Sequence, residues 1–201
     1  MEIVEYRGIR GLVCAEIIND TAETFECGTP FEVSGTAKLS RTTESSTESH
    51  YYDNKPAIVI DTVGADEVTI ECSALELDVL AKVTGYKYDE TKHMLIEGER
   101  ANKYFAIGYI TELTNGDEIF VWRLKGKFNI PDSSHTTKDD GADAEGQELT
   151  FTGVHTNHKF NANDNKTAKA VNVNATKNTT IKETEFFGTV QTPDTVGTVE
   201  A

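Results

Sequence analysis

At 201 residues the chain is long enough to bury one good core and still leave residues for arms or long loops. Its hydrophobic fraction of 37%, with plentiful Thr, Asn, Asp and Gly, suits strands joined by polar turns. A formal net charge of −15 argues against an electrostatic grip on nucleic-acid phosphates, and no apolar run approaches the ~20 residues of a membrane-spanning helix.

The start, Met1-Glu2-Ile3-Val4-Glu5, has neither the basic beginning nor the apolar stretch of a secretory signal, so a cytoplasm is the expected place of synthesis. Cys14, Cys27 and Cys72 are isolated and form no C-x-x-C pair; each is expected to act as a small buried or half-buried apolar residue. No Pro/Ser-rich or charged linker divides the chain, which predicts a single domain over 1–201.

Leu12 to Ile18 predicts a strand closed by Asn19-Asp20, and residues 33–42 alternate weakly enough to predict a second. Residues 41–56 then read as a long polar loop with an aromatic knot at His50-Tyr51-Tyr52. Unstructured stretches of that length inside a compact domain are commonly functional or disordered, and aromatics within them often anchor interfaces. Ala57 to Asp61 and Glu67 to Cys72 predict two further strands. Ser73-Ala74-Leu75-Glu76 fits a capping box opening a helix, whose Leu75, Val79, Leu80 and Val83 form an apolar stripe before a stop at Gly85.

The strongest hairpin signal is Thr114-Asn115-Gly116-Asp117, between a strand carrying Phe105, Ile107 and Tyr109 and a return strand over Glu118 to Ile130. On the return strand Phe120, Trp122, Leu124 and Phe128 alternate with Arg123, Lys125 and Lys127, and Gly126 suggests a bulge. The expected core is therefore Leu75, Val79, Leu80, Phe105, Ile107, Phe120, Trp122, Leu124 and Phe128. Pro131 to Gly146 reads as an acidic loop, and Glu148 to Phe160 as a last strand. Residues 161–201 form a polar arm with an apolar cluster at Ile181, Phe186, Phe187 and Val190, expected to order mainly against something else. Residues 1–11 form a second arm. The predicted fold is mainly β, an antiparallel sandwich or half-barrel with one packed helix.

Catalytic signatures are missing from the sequence, with no G-x-S-x-G, phosphate-binding Gly-rich loop or H-E-x-x-H. His155 and His158 would face opposite sides of a strand, which is poor metal geometry. Asp139 to Glu145 lacks EF-hand spacing and reads as a solvated acidic loop. No catalytic residue, metal or cofactor is assigned.

Thr43 to Ala57, TESSTESHYYDNKPA, closely resembles major tail proteins of long-tailed phages and prophages of Gram-positive bacteria. The resemblance continues through Gly64-Ala65-Asp66-Glu67-Val68-Thr69, Leu95 to Arg100, Tyr104 to Tyr109, Val121 to Gly126 and Gln191 to Thr195, in matching order over nearly the whole chain. It implies the phage tail-tube fold and a non-enzymatic structural subunit. Six-fold rings would stack into a hollow tube that conducts DNA from capsid to host. Each subunit would add about four strands to the inner wall; about 24 strands, ~4.8 Å apart and tilted by ~40°, give a backbone diameter of roughly 45–50 Å, wide enough for a duplex.

The same resemblance implies that Thr43, Glu44, Glu48, His50, Tyr51, Tyr52, Asp53 and Asn54 belong to a loop reaching the next ring, and that both arms order against neighbours. Arg123, Lys125 and Lys127 are assigned to the lumen or a subunit seam, or alternatively to pairs with Glu112 or Glu118 across the hairpin. The implied partners are further copies of the chain, a tape measure protein, tail terminator and distal tail proteins, and passing double-stranded DNA without specific binding. No membrane is involved, and the implied location is the virion tail, made in the host cytoplasm. Alternatives are a tail terminator, a capsid decoration protein or a bacterial surface adhesin domain.

Overall fold

The computed structural model describes residues 3–133, 135, 137 and 145–197. In chain order its elements are β1 (Tyr6–Asp20), β2 (Phe25–Cys27), β3 (Phe31–Glu32), β4 (Thr36–Tyr52), β5 (Lys55–Cys72), α1 (Leu77–Thr84), β6 (Lys87–Asp89), β7 (Met94–Ile96), β8 (Phe105–Leu113), β9 (Glu118–Phe128), β10 (Gln147–Gly153), β11 (Ala170–Asn174) and α2 (Glu183–Gly188). A large antiparallel sheet runs in the order β2-β1-β8-β9-β10-β5-β4. β3 is added to β1 and β11 to β9, while β6 and β7 form a separate ribbon. This is the mainly β sandwich or half-barrel class expected, with two helices rather than one.

β8 and β9 are central and buried on both faces, because each face of the sheet carries its own apolar cluster. Phe105, Ile107 and Tyr109 point into the first cluster with Cys14, Ile70 and Phe151. Ala106 and Ile110 point into the second with Phe120, Trp122 and Leu124. α1 closes the first face through Val83 and the partly buried Val79, with Leu75 just before the helix adding to it. Each large side chain so buried contributes about 1.5–3 kcal/mol before entropy costs.

β9 switches faces partway along its length. Phe105 pairs with Gly126 but Ile107 pairs with Arg123, so two residues of β9, Leu124 and Lys125, oppose Ala106 alone. This bulge moves Phe128 to the first cluster, whereas Phe120, Trp122 and Leu124 stay in the second. Simple alternation had placed all four on one side. Gly126 is required by close approach: a Cβ there would lie 2.5 Å from the Thr152 carbonyl oxygen.

Other boundaries differ from the expectation for definite reasons. The capping box does not form. Ser73 Oγ instead accepts the Gly35 N–H, and α1 starts at Leu77, stabilised by an Asp78–Lys82 pair at 3.0 Å and ended by Gly85 at φ 79°. Leu80 is half-buried and belongs to neither cluster. Residues 6–11 are no free arm: they start β1, which pairs Tyr6 with Leu113 and Ile9 with Thr111. The last predicted strand ends at Gly153.

The C-terminal arm is also corrected, because it folds back on its own sheet. β11 pairs with β9, and Phe186 of α2 is buried in the second cluster with Ile181, Phe187 and Val190 packed around it. Trp122 Nε1 donates to the Phe186 carbonyl at 2.8 Å, which satisfies the indole inside an aromatic cluster. The acidic stretch Asp139 to Glu145 lies, except for Glu145, outside the described residues.

Candidate assembly site

The predicted 41–56 loop is instead the distal part of a β-hairpin. β4 and β5 pair from Thr36↔Cys72 out to Tyr52↔Lys55, with Asp53 and Asn54 as the two-residue turn. Both turn residues have positive φ, 50° and 60°, as a tight turn between right-twisted strands requires. Asp and Asn tolerate that conformation better than other side chains with a Cβ. β5 also joins into one strand what the sequence divided at Asp61 and Glu67.

β10 supports only the inner part of β5, from Cys72 to Asp66. Beyond that point the hairpin continues as a two-stranded ribbon, through pairs such as Ser46↔Thr62 and His50↔Ile58. Residues directly opposite share a face. One face therefore carries Ile58 and Ile60 with His50, Glu48, Ser46 and Thr62, the last two joined by a 2.6 Å hydroxyl contact. The other carries Val59 and Val63 with Asp61, Thr47 and Ser49. Both faces are open to solvent: Tyr51 is 66% exposed, Val63 63% and Ile58 48%.

A two-stranded ribbon without a covered face is at best marginally stable in water. Among the described residues β4 pairs with no strand but β5, so its outer edge also offers unpaired backbone groups. The ribbon thus presents exposed apolar side chains, two tyrosines and a free edge at once. Glu48, His50, Tyr51, Tyr52, Asp53 and Asn54 lie on its distal part, and exposed Glu44 near its base. Thr43 belongs to the root, where its hydroxyl donates to Asp66 Oδ1. Ile58, Val59, Ile60 and Val63 complete the surface and were missed as site residues. Their signal was Asp-Asn flanked by β-branched and aromatic residues, hidden because a ribbon exposed on both faces shows no apolar alternation.

Arg123 and Lys125 are corrected as lumen-lining residues, because both are buried within the chain, whereas Lys127 is half-buried. Arg123 and Lys125 have side chains only 8% and 9% exposed. Arg123 meets Asp66 at 3.0 Å and donates to Tyr109 Oη, and Lys125 meets Asp20 at 2.5 Å. Neither uses Glu112 or Glu118. Lys127 donates to Asn102 Oδ1, with its ammonium 4.4 Å from the Tyr104 ring centre. Buried charges need such partners, since an unpaired one costs several kcal/mol.

Asp66 collects charge from several elements, with Lys169 at 3.2 Å and Arg41 at 3.7 Å in addition to Arg123. Burial pushes its carboxyl up, but hydrogen bonds from Thr43 and Lys169 and the nearby cations outweigh that and hold it below the usual range. Burial and the charge of Lys169 lower the His155 imidazole, against the opposing effect of Asp66. His155 contacts Thr167 Oγ1 and His158 packs edge-on against Phe160, and neither lies in a strand.

Among the described residues no group of three or more His, Cys, Asp or Glu is arranged to hold a metal ion. Burial pushes the Cys27 thiol up to about 12 and raises Cys14 strongly, so neither is a ready thiolate. No family model matches the chain, and none of the curated proteins matches it.

Proposed function

We propose that this protein is a structural subunit of a phage tail tube, assembling through its β4–β5 ribbon into six-fold rings that stack around a DNA channel. The observation that carries this reading is a ribbon with two uncovered faces, a free edge and a tyrosine-bearing tip. A neighbouring copy would supply the third strand and the apolar cover that such a ribbon lacks within its own chain. The family resemblance of Thr43 to Ala57, the segment that builds the ribbon's outer strand and turn, points the same way. The net charge of −15 suits a wall past which phosphate must slide without sticking.

The test is negative-stain microscopy and sedimentation of the purified full chain over a concentration series, with and without other tail components. Rings or hollow tubes are expected. A species that stays strictly monomeric in every condition overturns the reading. Closed single caps without stacking would favour a tail terminator instead.

A further inference from the structure

At the root of the ribbon, where β5 parts from β10, an open cleft of about 670 Å³ lies between the hairpin and the segment leading into β11. Arg41, Arg123 and Lys169 converge there on Asp66, the one carboxylate among the described residues lining the cleft. Three cations thus face a single anion, within a chain whose overall charge is −15. Arg123 and Lys169 are buried or nearly so and are fixed in place by Tyr109 and the Gly64 carbonyl respectively. Arg41 is half-exposed, and its remaining N–H donors have no further partner among the described residues. The local excess of positive charge is therefore preorganised, and it is reachable from solvent at Arg41.

The complementary charge lies on the outer ribbon. Asp53 in the turn at the ribbon's tip is exposed and has no ion-pair partner among the described residues. Seven residue steps along β4 separate the ribbon's base at Ser45 from its tip at Tyr52, roughly 23 Å of strand. The tip of a copy consequently does not reach its own root.

We propose that the cationic cleft at the hairpin root receives the tip carboxylate, Asp53, of a second copy of this chain. The inference rests on the self-assembly reading and adds to it the contact that sets direction and register. Two chains as acidic as these repel one another at a distance. A site with surplus Arg and Lys offsets that repulsion only where the partner's acidic group arrives in register, which gives specificity as well as attraction. Such a root-to-tip contact is heterologous and open-ended, so it propagates rather than closing into a dimer.

The experiment is charge reversal with rescue, read by sedimentation and negative stain. Arg41→Glu should raise the concentration needed for assembly at least ten-fold, and Arg41→Gln by a smaller factor, with the near-UV spectrum of the monomer unchanged and the melting temperature of Arg41→Gln within a few degrees of wild type. Asp53→Lys should impair assembly similarly. Combining it with Arg41→Glu should bring the threshold back to within about three-fold of wild type. Wild-type assembly by Arg41→Glu, or a loss that the combined variant does not recover, overturns the proposal while leaving the tube reading intact. Failure of the wild-type chain to assemble at all overturns both.

Discussion

Lys125 Nζ lies 2.5 Å from Asp20 Oδ2, although 105 residues separate the two in the chain. The same carboxylate accepts the backbone N–H groups of Asn157 and His158, so it ties the end of β1 to β9 and to the turn after β10. Removing one partner of a buried, hydrogen-bonded pair leaves the other charge uncompensated. Asp20→Ala should therefore cost about 3–5 kcal/mol in chemical denaturation. A change below about 1 kcal/mol would show that water replaces the carboxylate without penalty.

Asp66 contributes a pH-dependent part of the stability. Its carboxyl is lower in the folded chain than the ordinary value of 3.8. A depressed carboxyl stabilises fully above its unfolded value and loses that contribution as pH falls through the folded one. The stability gap between wild type and Asp66→Asn should be constant from pH 7 to about 5 and shrink only below 3.8. Urea titrations at several pH values measure the gap directly, and shrinkage already between pH 6 and 5 would contradict the assignment.

Trp122 is fully buried, packs its ring against Phe187 beside the Phe120–Phe186 pair, and anchors α2 through its indole N–H. Trp122→Ala should cost about 3–5 kcal/mol and expose α2 to faster hydrogen exchange. An unchanged melting temperature would mean that the second face of the sheet carries little of the fold.

Gly126 cannot take a side chain without moving Phe151 or the Thr152 carbonyl. Gly126→Ala should destabilise by about 1–3 kcal/mol through overpacking at the bulge, whereas Gly116→Ala at the open hairpin turn is limited to strain at φ 86°. Thermal melts of the two variants compare packing against backbone strain.

Excising Ser46 to Thr62 and joining Ser45 to Val63 through an Asn-Gly turn should leave the body folded, since β10 and the inner β4 still pair with the rest of β5. The melting temperature should shift by only a few degrees, while ring stacking is lost. Tubes formed by the shortened chain would remove the ribbon from assembly.

Much of the sheet was legible from local pattern. The Asn115-Gly116 turn, the strands around it and the stop at Gly85 follow from turn chemistry and period-two spacing, which act between neighbours in sequence. Residues 41–56 were not, because Thr, Ser and Glu on a ribbon with no buried face leave no apolar rhythm to read.

The sequence by itself determined the mainly β class, the hairpin at Asn115-Gly116, the apolar character of β8 and β9, and the acidic balance, since each is encoded in composition or in spacing along a few residues. Only the tertiary structure decided which face Phe128 joins, that the C-terminal segment covers its own sheet, and that Arg123 and Lys125 are buried beside Asp66 and Asp20. Those outcomes depend on a one-residue bulge and on partners 57 and 105 residues away. Electrostatic pairing and face selection are settled by where the chain returns in space, and spacing along the strand carries no record of that.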